Sequence, residues 1–508
     1  MNLAVVNSRA LIGVSAVPVS VEVHLAGGLP ALSIVGMPET AVRESKDRVR
    51  AAMLNSGFDF PARRITVNLA PADLPKSGGR FDLPIALGLL AASGQLDPES
   101  LANFEFIGEL ALGGELRSVE GVLPTAIAAQ SLDRSLVLPL ANAIEASLAE
   151  GCRVYGCLSL LQLCNHLAET GRIEELRQAP VEEVAASGDE LNLEDVRGQH
   201  QARRALEVAA AGGHNLLLVG PPGTGKSMLA SRLPGILPPM TLPEALETAS
   251  IASISRGGLE IGRWRTRPYR APHHTSSGVA LVGGGSQPKP GEVSLAHNGV
   301  LFLDELPEFT RSVLDVLREP VENGTITISR AGQQAEFPAR IQLVAAMNPC
   351  PCGYYGDSKE PCRCGPEMIS RYQSRVSGPL LDRIDIQISV QRIEYALLRS
   401  DARRGEDSMA VARRVADSHI LQLARAGKSN AHLNAKEVEQ YCTLSENQHE
   451  WLAAALEKFN LSARAIHRTL KVARTIADLS ESSAIEGDHL REALSYRSTL
   501  NEQYRPVK

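Results

Sequence analysis

Midway along the chain, the largely apolar run Asn215–Val219 leads straight into Gly220-Pro221-Pro222-Gly223-Thr224-Gly225-Lys226-Ser227. A buried strand that breaks into glycines and reopens as a helix is the signature of a phosphate-binding loop. Glycine lets backbone N–H groups wrap phosphate oxygens, and Lys226 reaches the β and γ oxygens. Ser227 offers its hydroxyl to Mg²⁺, and the following helix points its N-terminus at the anion. This feature constrains the surrounding chain to an α/β fold, a parallel sheet covered by helices on both faces.

The rest of such a site is sought at the ends of neighbouring strands. Gly299–Leu303 is apolar and ends in Asp304-Glu305, which predicts Asp304 beside the metal and Glu305 beside the attacking water. Phosphoryl transfer depends on charge placement more than on covalent chemistry, so these few residues nearly suffice. A further buried strand, Ile341–Met347, delivers Asn348 to orient the water. Arg383, in Leu380-Leu381-Asp382-Arg383-Ile384-Asp385, opens the last core strand and suits an arginine finger for a neighbouring subunit's γ-phosphate. Arg464 follows Asn460-Leu461-Ser462 at the start of a helix, where it would reach the same phosphate from its own subunit. Ordinary surface hydrogen bonding is the competing reading for Asn348 and both arginines. Arg371 and Arg375 are further interface candidates.

A chain of 508 residues is too long for one core. Residues 1–170 alternate strands and helices as an α+β unit. Val19, Val21, Val23 and Leu25 repeat at period two, as do Ile65, Val67 and Leu69, while Pro84–Ala92 and Pro124–Gln130 read as helices. Residues 171–195 carry an excess of acids and read as a solvated linker. Helix Gln199–Ala211 opens an ATPase-type core expected over 196–394. Residues 395–508 read as a helical lid with helices Leu397–His419, Ala435–Tyr441, Gln448–Phe459, Ala463–Leu479 and Gly487–Tyr496. The net charge of −6 excludes a protein that coats nucleic acid by bulk charge, so any such surface must be local. With no leader pattern, no run of 18 apolar residues and no secreted-type cysteine framework, a cytoplasmic location is expected.

Two segments suit such a local surface. Arg256, Arg263, Arg265, Arg267 and Arg270 face only Glu260 among acids and are interleaved with Trp264 and Tyr269. Guanidiniums serve phosphates and aromatic faces serve unstacked bases. Thr325–Phe337 reads as a hairpin turning at Gly332 and carrying Arg330. Subunit contacts are the alternative use of these arginines. Cys350-Pro351-Cys352 and Cys362-Arg363-Cys364 suggest a tetrahedral Zn²⁺ site, with a metal-free loop as the alternative. Cys152, Cys157, Cys164 and Cys442 sit in apolar surroundings and read as core. For His273 and His274, phosphate or subunit contacts are expected.

The stretch Arg267-Pro268-Tyr269-Arg270-Ala271-Pro272-His273-His274-Thr275, with Gly283-Gly284-Gly285 and Pro290–Gly299, resembles the magnesium-chelatase-like AAA+ ATPases over essentially the whole chain. The resemblance implies ATP and Mg²⁺ as cofactors, a hexameric ring, Arg383 as finger and Arg464 as second sensor. It also implies a helicase-type motor that drives branch migration while transforming DNA is integrated. Partners would then be single-stranded and branched DNA, copies of the same chain, and recombination proteins. In related ring motors, both arginine-bearing segments line the pore. Residues 1–170 resemble the proteolytic domain of Lon proteases (a ribosomal S5 domain 2-like fold). There, Leu74–Asp82 matches the segment of the nucleophilic serine with Arg80 in its place, and the catalytic lysine position holds Leu123. A Ser–Lys dyad needs both groups, so an interaction or DNA-handling module is expected instead of a protease. The alternative function is the ATPase subunit of a magnesium chelatase. The Lon-like unit and the four-cysteine loop favour the first reading.

Overall fold

The computed structural model describes residues 2–176, 191–285, 288–330, 333–393, 405–459 and 463–503. The chain forms two compact units, Met1–Ala185 with Ala245–Trp264, and Ala186–Glu244 with Arg265–Lys508.

The first unit is built on an eight-stranded mixed sheet. Leu3–Ile12 pairs antiparallel with Ser15–Ala26 along its whole length. Val19, Val21, Val23 and Leu25 turn inward together, as period two requires. Helix Asp82–Ala92 packs on this sheet and is buried at every residue. Gly88 permits that approach, since a Cβ there would lie 2.5 Å from Val23 Cγ2. Contrary to the expected 196–394 core, residues 245–264 belong to this first unit. The reason is apolar: Leu246, Ala249, Leu259, Ile261 and Trp264 join a cluster with Val122, Leu123 and Leu136. The Gly121 N–H also donates to the Ser253 carbonyl at 2.9 Å.

The expected linker is shorter than 171–195. Glu175–Leu176 is the edge strand of the first sheet, and Leu193 is buried in the core of the second unit. Residues 177–190 lie outside the described residues.

The second unit holds five parallel strands in the order Tyr269–Arg270, Val300–Leu303, Gln342–Met347, Leu216–Val219, Ile386–Ser389. The inner three strands are buried at every position. Neighbouring parallel strands end on the same edge, so the glycine loop, Asp304 and Asn348 emerge side by side. The C-terminal helices are Ser408–Ala426, Ala435–Tyr441, Glu446–Phe459, Ala463–Leu479 and Gly487–Gln503. The first differs from the expected Leu397–His419. Asp407 caps it by accepting the Ala410 N–H, and it runs on to Gly427, whose left-handed backbone ends it. Residues 394–404 lie outside the described residues.

These helices are tied to the sheet through Asp385, which is buried just before the last strand. Its carboxylate accepts from Arg468 Nη1 at 2.6 Å and from the Asn215 N–H at 3.3 Å, with His214 Nδ1 at 3.5 Å. Burial alone would raise this carboxyl. The His214 ring and the guanidiniums of Arg468 and Arg497 outweigh that and hold it well below the usual range. Asp385→Ala should therefore leave the buried Arg497 and the half-buried Arg468 uncompensated and cost about 3 to 5 kcal/mol. Calorimetry should show an earlier unfolding transition for the second unit and an unmoved one for the first. An unchanged profile would remove Asp385 from this role.

Candidate nucleotide site

Gly223 and Gly225 have φ of +75° and +87°, conformations that cost a residue with a Cβ dearly. They turn the chain from strand Leu216–Val219 into the short helix Lys226–Ala230. Lys226 Nζ donates to the carbonyls of Gly220 and Pro221, both at 2.8 Å, and to Asn348 Oδ1 at 3.2 Å. Burial pulls its ammonium down to about 8, while the charges of Asp304 and Glu305 pull the other way. The lysine is thus held by weak neutral acceptors, which phosphate oxygens would replace with charged ones.

Ser227 Oγ donates to Asp304 Oδ2 at 2.7 Å. A hydroxyl and a carboxylate meeting beside a phosphate cradle are the hard oxygen donors that Mg²⁺ takes. Glu305 has φ of +52°, a left-handed conformation that a side chain adopts only under constraint. Its carboxylate is held by His274 Nδ1 at 3.1 Å, and the His274 ring lies 4.1 Å from that of His273. Lys226, Ser227, Asp304, Glu305 and Asn348 are therefore brought together. The His274–Glu305 pair adds a contact within the chain that the sequence reading did not foresee. Tyr269–Arg270 runs parallel to Val300–Leu303, which carries the residues that follow it to the end of the Asp304 strand. No spacing rule in the sequence shows this.

Arg383 pairs with Glu322 and donates to the Pro379 carbonyl at 2.8 Å, so its guanidinium is engaged within its own chain. Arg464 is exposed on the first turn of helix Ala463–Leu479. One turn later, Arg468 contacts Asp385 and the Arg383 carbonyl, a link the sequence reading missed. Arg371 is exposed, and Arg375 pairs with Glu308 at 3.0 Å.

The five arginines of 256–270 do not form one element. Arg256 and Arg263 belong to the first unit, the other three to the second. Arg267 serves the fold, donating to the carbonyls of Pro238 at 2.6 Å and Asn298 at 2.7 Å and pairing with Glu244. Arg270 makes a two-pronged pair with Glu292, at 2.7 and 2.8 Å. Arg256, Arg263 and Arg265 are exposed. The hairpin is present as Thr325–Arg330 against Gln333–Pro338. Its turn at Gly332 and the Arg330 side chain lie outside the described residues. The thiols of Cys350, Cys352, Cys362 and Cys364 gather within 4.8 Å of one another. Cys152, Cys157, Cys164 and Cys442 are buried, as expected of core residues.

The state of Lys226 sets a pH dependence. Bound phosphates stabilise the ammonium, so above about 8 the free protein must take up a proton to bind. Affinity for an ATP analogue should then fall as pH rises through this range, with a limiting slope of about tenfold per pH unit. Glu305→Gln should shift the fall to lower pH, because that carboxylate supports the charge. A titration by fluorescence that stays flat into the ordinary lysine range would refute this.

Three family models match the chain. They are magnesium chelatase subunit ChlI over residues 192–398, subunit ChlI of Mg-chelatase over 21–142, and the subunit ChlI C-terminal region over 405–497. Competence protein ComM of Haemophilus influenzae is 54% identical over 503 residues, covering 98% of each chain. A maternal DNA replication licensing factor mcm6 of Xenopus tropicalis is 26% identical over 40% of this chain and 25% of its own. The chloroplastic magnesium-chelatase subunit ChlI of Chlamydomonas reinhardtii is 28% identical over 32% of this chain and 37% of its own. No described helix is long and apolar enough to cross a membrane. With a phosphate loop, a serine–aspartate pair and an asparagine on adjacent strand ends, and a full-length match to ComM, the chain belongs to the magnesium-chelatase-like AAA+ ATPases, close to competence protein ComM.

Proposed function

We propose that this ATPase is a ring-forming DNA motor, hexameric and cytoplasmic, that drives branch migration while transforming DNA is integrated by homologous recombination. The observation that carries this reading is the relative named a competence protein, matched over 98% of both chains. The match to a replication licensing factor over 40% of this chain supports a DNA substrate. The alternative, an ATPase subunit of a magnesium chelatase, has a relative covering 32% of this chain. A chelatase-type model also matches residues 21–142, so the first unit does not separate the two readings.

In this reading Glu305 activates water, Asp304 and Ser227 hold Mg²⁺, Asn348 orients the water, and Arg464 senses the phosphate in its own subunit. Residues 1–170 act as a Lon-like interaction module without protease chemistry. Arg80 is buried, with Nη2 donating to Thr125 Oγ1 at 2.9 Å, and Leu123 is buried, with its N–H donating to Ser253 Oγ at 3.4 Å. Cys350, Cys352, Cys362 and Cys364 hold a structural Zn²⁺. The DNA-facing cations are Arg256, Arg263, Arg265 and the hairpin with Arg330, whereas Arg267 and Arg270 keep the structural roles described above.

Junction movement on three- and four-stranded DNA should require hydrolysis and stop in Lys226→Ala and Glu305→Gln. Replacing Arg256, Arg263 and Arg265 by Ala should flatten the salt dependence of DNA binding by roughly 0.7 to 0.9 in logarithmic slope per lost contact. Basal hydrolysis should persist. Stimulation by chelatase partner subunits, with no response to any DNA, would establish the alternative.

Arg383 must leave Glu322 to act as a finger in a neighbour's site. Arg383→Ala should bind ATP but lose about 10³- to 10⁵-fold in hydrolysis. Mixing it with Lys226→Ala should restore part of that rate, since some interfaces pair an intact loop with an intact finger. Mixed rings without rescue would place Arg383 outside the neighbour's site.

A further inference from the structure

Between Asn348 and helix Pro366–Gln373 the chain runs through residues 349–365 without helix or strand. Only Pro349, Cys350 and Gly353 are buried there. Ordering a backbone costs about 1 to 2 kcal/mol per residue, far more than this little burial can offset. The loop is nevertheless pinned to the rest of its unit. Gln373 Nε2 donates to the Pro349 carbonyl at 3.0 Å. Arg392 bridges Asp357 at 3.1 Å and Glu360 at 3.0 Å, and lies 5.3 Å from the Tyr354 ring centre. Apart from the Asp357 carboxylate, whose side chain is 3% exposed, these contacts are exposed or half-exposed and worth little individually, so a covalent or metal cross-link would supply much of what holds the loop.

The sulfurs supply it. Cys350 Sγ lies 3.4 Å from Cys352 Sγ and 3.7 Å from Cys362 Sγ, and the latter two are 3.6 Å apart. Four thiolates arranged tetrahedrally about Zn²⁺ at about 2.3 Å have edges of about 3.8 Å, whereas disulfide sulfurs approach to about 2.05 Å. The Tyr355 N–H donates to Cys350 Sγ at 3.3 Å and the Cys364 N–H to Cys362 Sγ at 3.4 Å. Amide donors of this kind orient ligands around a metal.

Both ends of the first cysteine pair touch the phosphate-binding machinery. Two residues before Cys350, Asn348 holds Lys226 Nζ. Directly after Cys352, Gly353 has φ of +87°, and a Cβ there would lie 2.6 Å from Pro222 Cδ. The backbone of the cysteine loop thus bears on the proline of the glycine loop, with no side chain between them.

We infer that the four-cysteine loop is a zinc-stapled brace for the nucleotide site: the metal fixes Gly353 against Pro222 and Asn348 against Lys226, so that nucleotide binding depends on the metal. This rests on the zinc reading above and adds the dependence. It predicts that zinc loss disables the motor at the binding step, before any hydrolysis or DNA contact.

The test uses the full-length protein, with metal content by mass spectrometry and affinity for a fluorescent ATP analogue measured on the same samples. About one zinc per chain is expected. Stripping it with a chelator should weaken the analogue by at least about tenfold, and adding zinc back should restore binding. Gly353→Ala should keep its zinc, which also shows the loop is folded, yet bind the analogue more weakly. Cys350→Ser with Cys362→Ser should lose both; if that variant does not fold, the strip-and-restore arm decides. Stoichiometric zinc whose removal leaves affinity unchanged would overturn the brace and spare the zinc reading. Protein that holds no zinc and binds the analogue normally would overturn both.

Discussion

A buried carboxylate is tolerated only where donors and cations converge on it, and Asp385 gathers its partners from distant parts of the second unit. Asn215 comes from the start of the phosphate-loop strand, and Arg468 and Arg497 from two C-terminal helices. The carboxylate stands one residue before the last strand, so it fixes where that strand begins and where helix Ala463–Leu479 docks. Arg383 and Arg464 inherit their positions from this junction. The chemistry proposed for both presupposes that the core and its helices meet at this one charge.

Much of the nucleotide site was legible because each strand of a parallel sheet delivers one functional residue at the same edge. A buried apolar run followed by a polar residue is a local signal, and Lys226, Asp304 and Asn348 each carry it. His274 carries no such signal. Its role arises from the pairing of Tyr269–Arg270 with the neighbouring strand, which depends on contacts remote in sequence. The arginine cluster misled in a similar way. Charge density suggested one binding surface, but Arg267 is occupied by carbonyls at two turns and by Glu244. Counting guanidiniums does not show which of them the backbone has already taken.

Helix Ala435–Tyr441, capped by Asn434, was legible at both ends, whereas the cap at Asp407 and the glycine end at Gly427 of helix Ser408–Ala426 were both missed. The membership of residues 245–264 was not legible either. Their apolar residues have an ordinary helical spacing, and periodicity says that a face will be buried without saying against what. The partner, an apolar cluster around Val122 and Leu123, lies more than a hundred residues earlier.

That discontinuity has a consequence for how the protein is made. The first unit's core includes Leu246, Ala249 and Trp264, so residues 1–185 emerge from the ribosome without part of their own interior. At synthesis rates of about 5 to 20 residues per second, the missing piece arrives several seconds after the rest. During that interval the patch around Val122 and Leu123 is open to water, and the phosphate loop at 220–227 has already been translated. The N-terminal unit therefore cannot close its own core until the phosphate loop has been translated, so its completion waits on the first stretch of the ATPase.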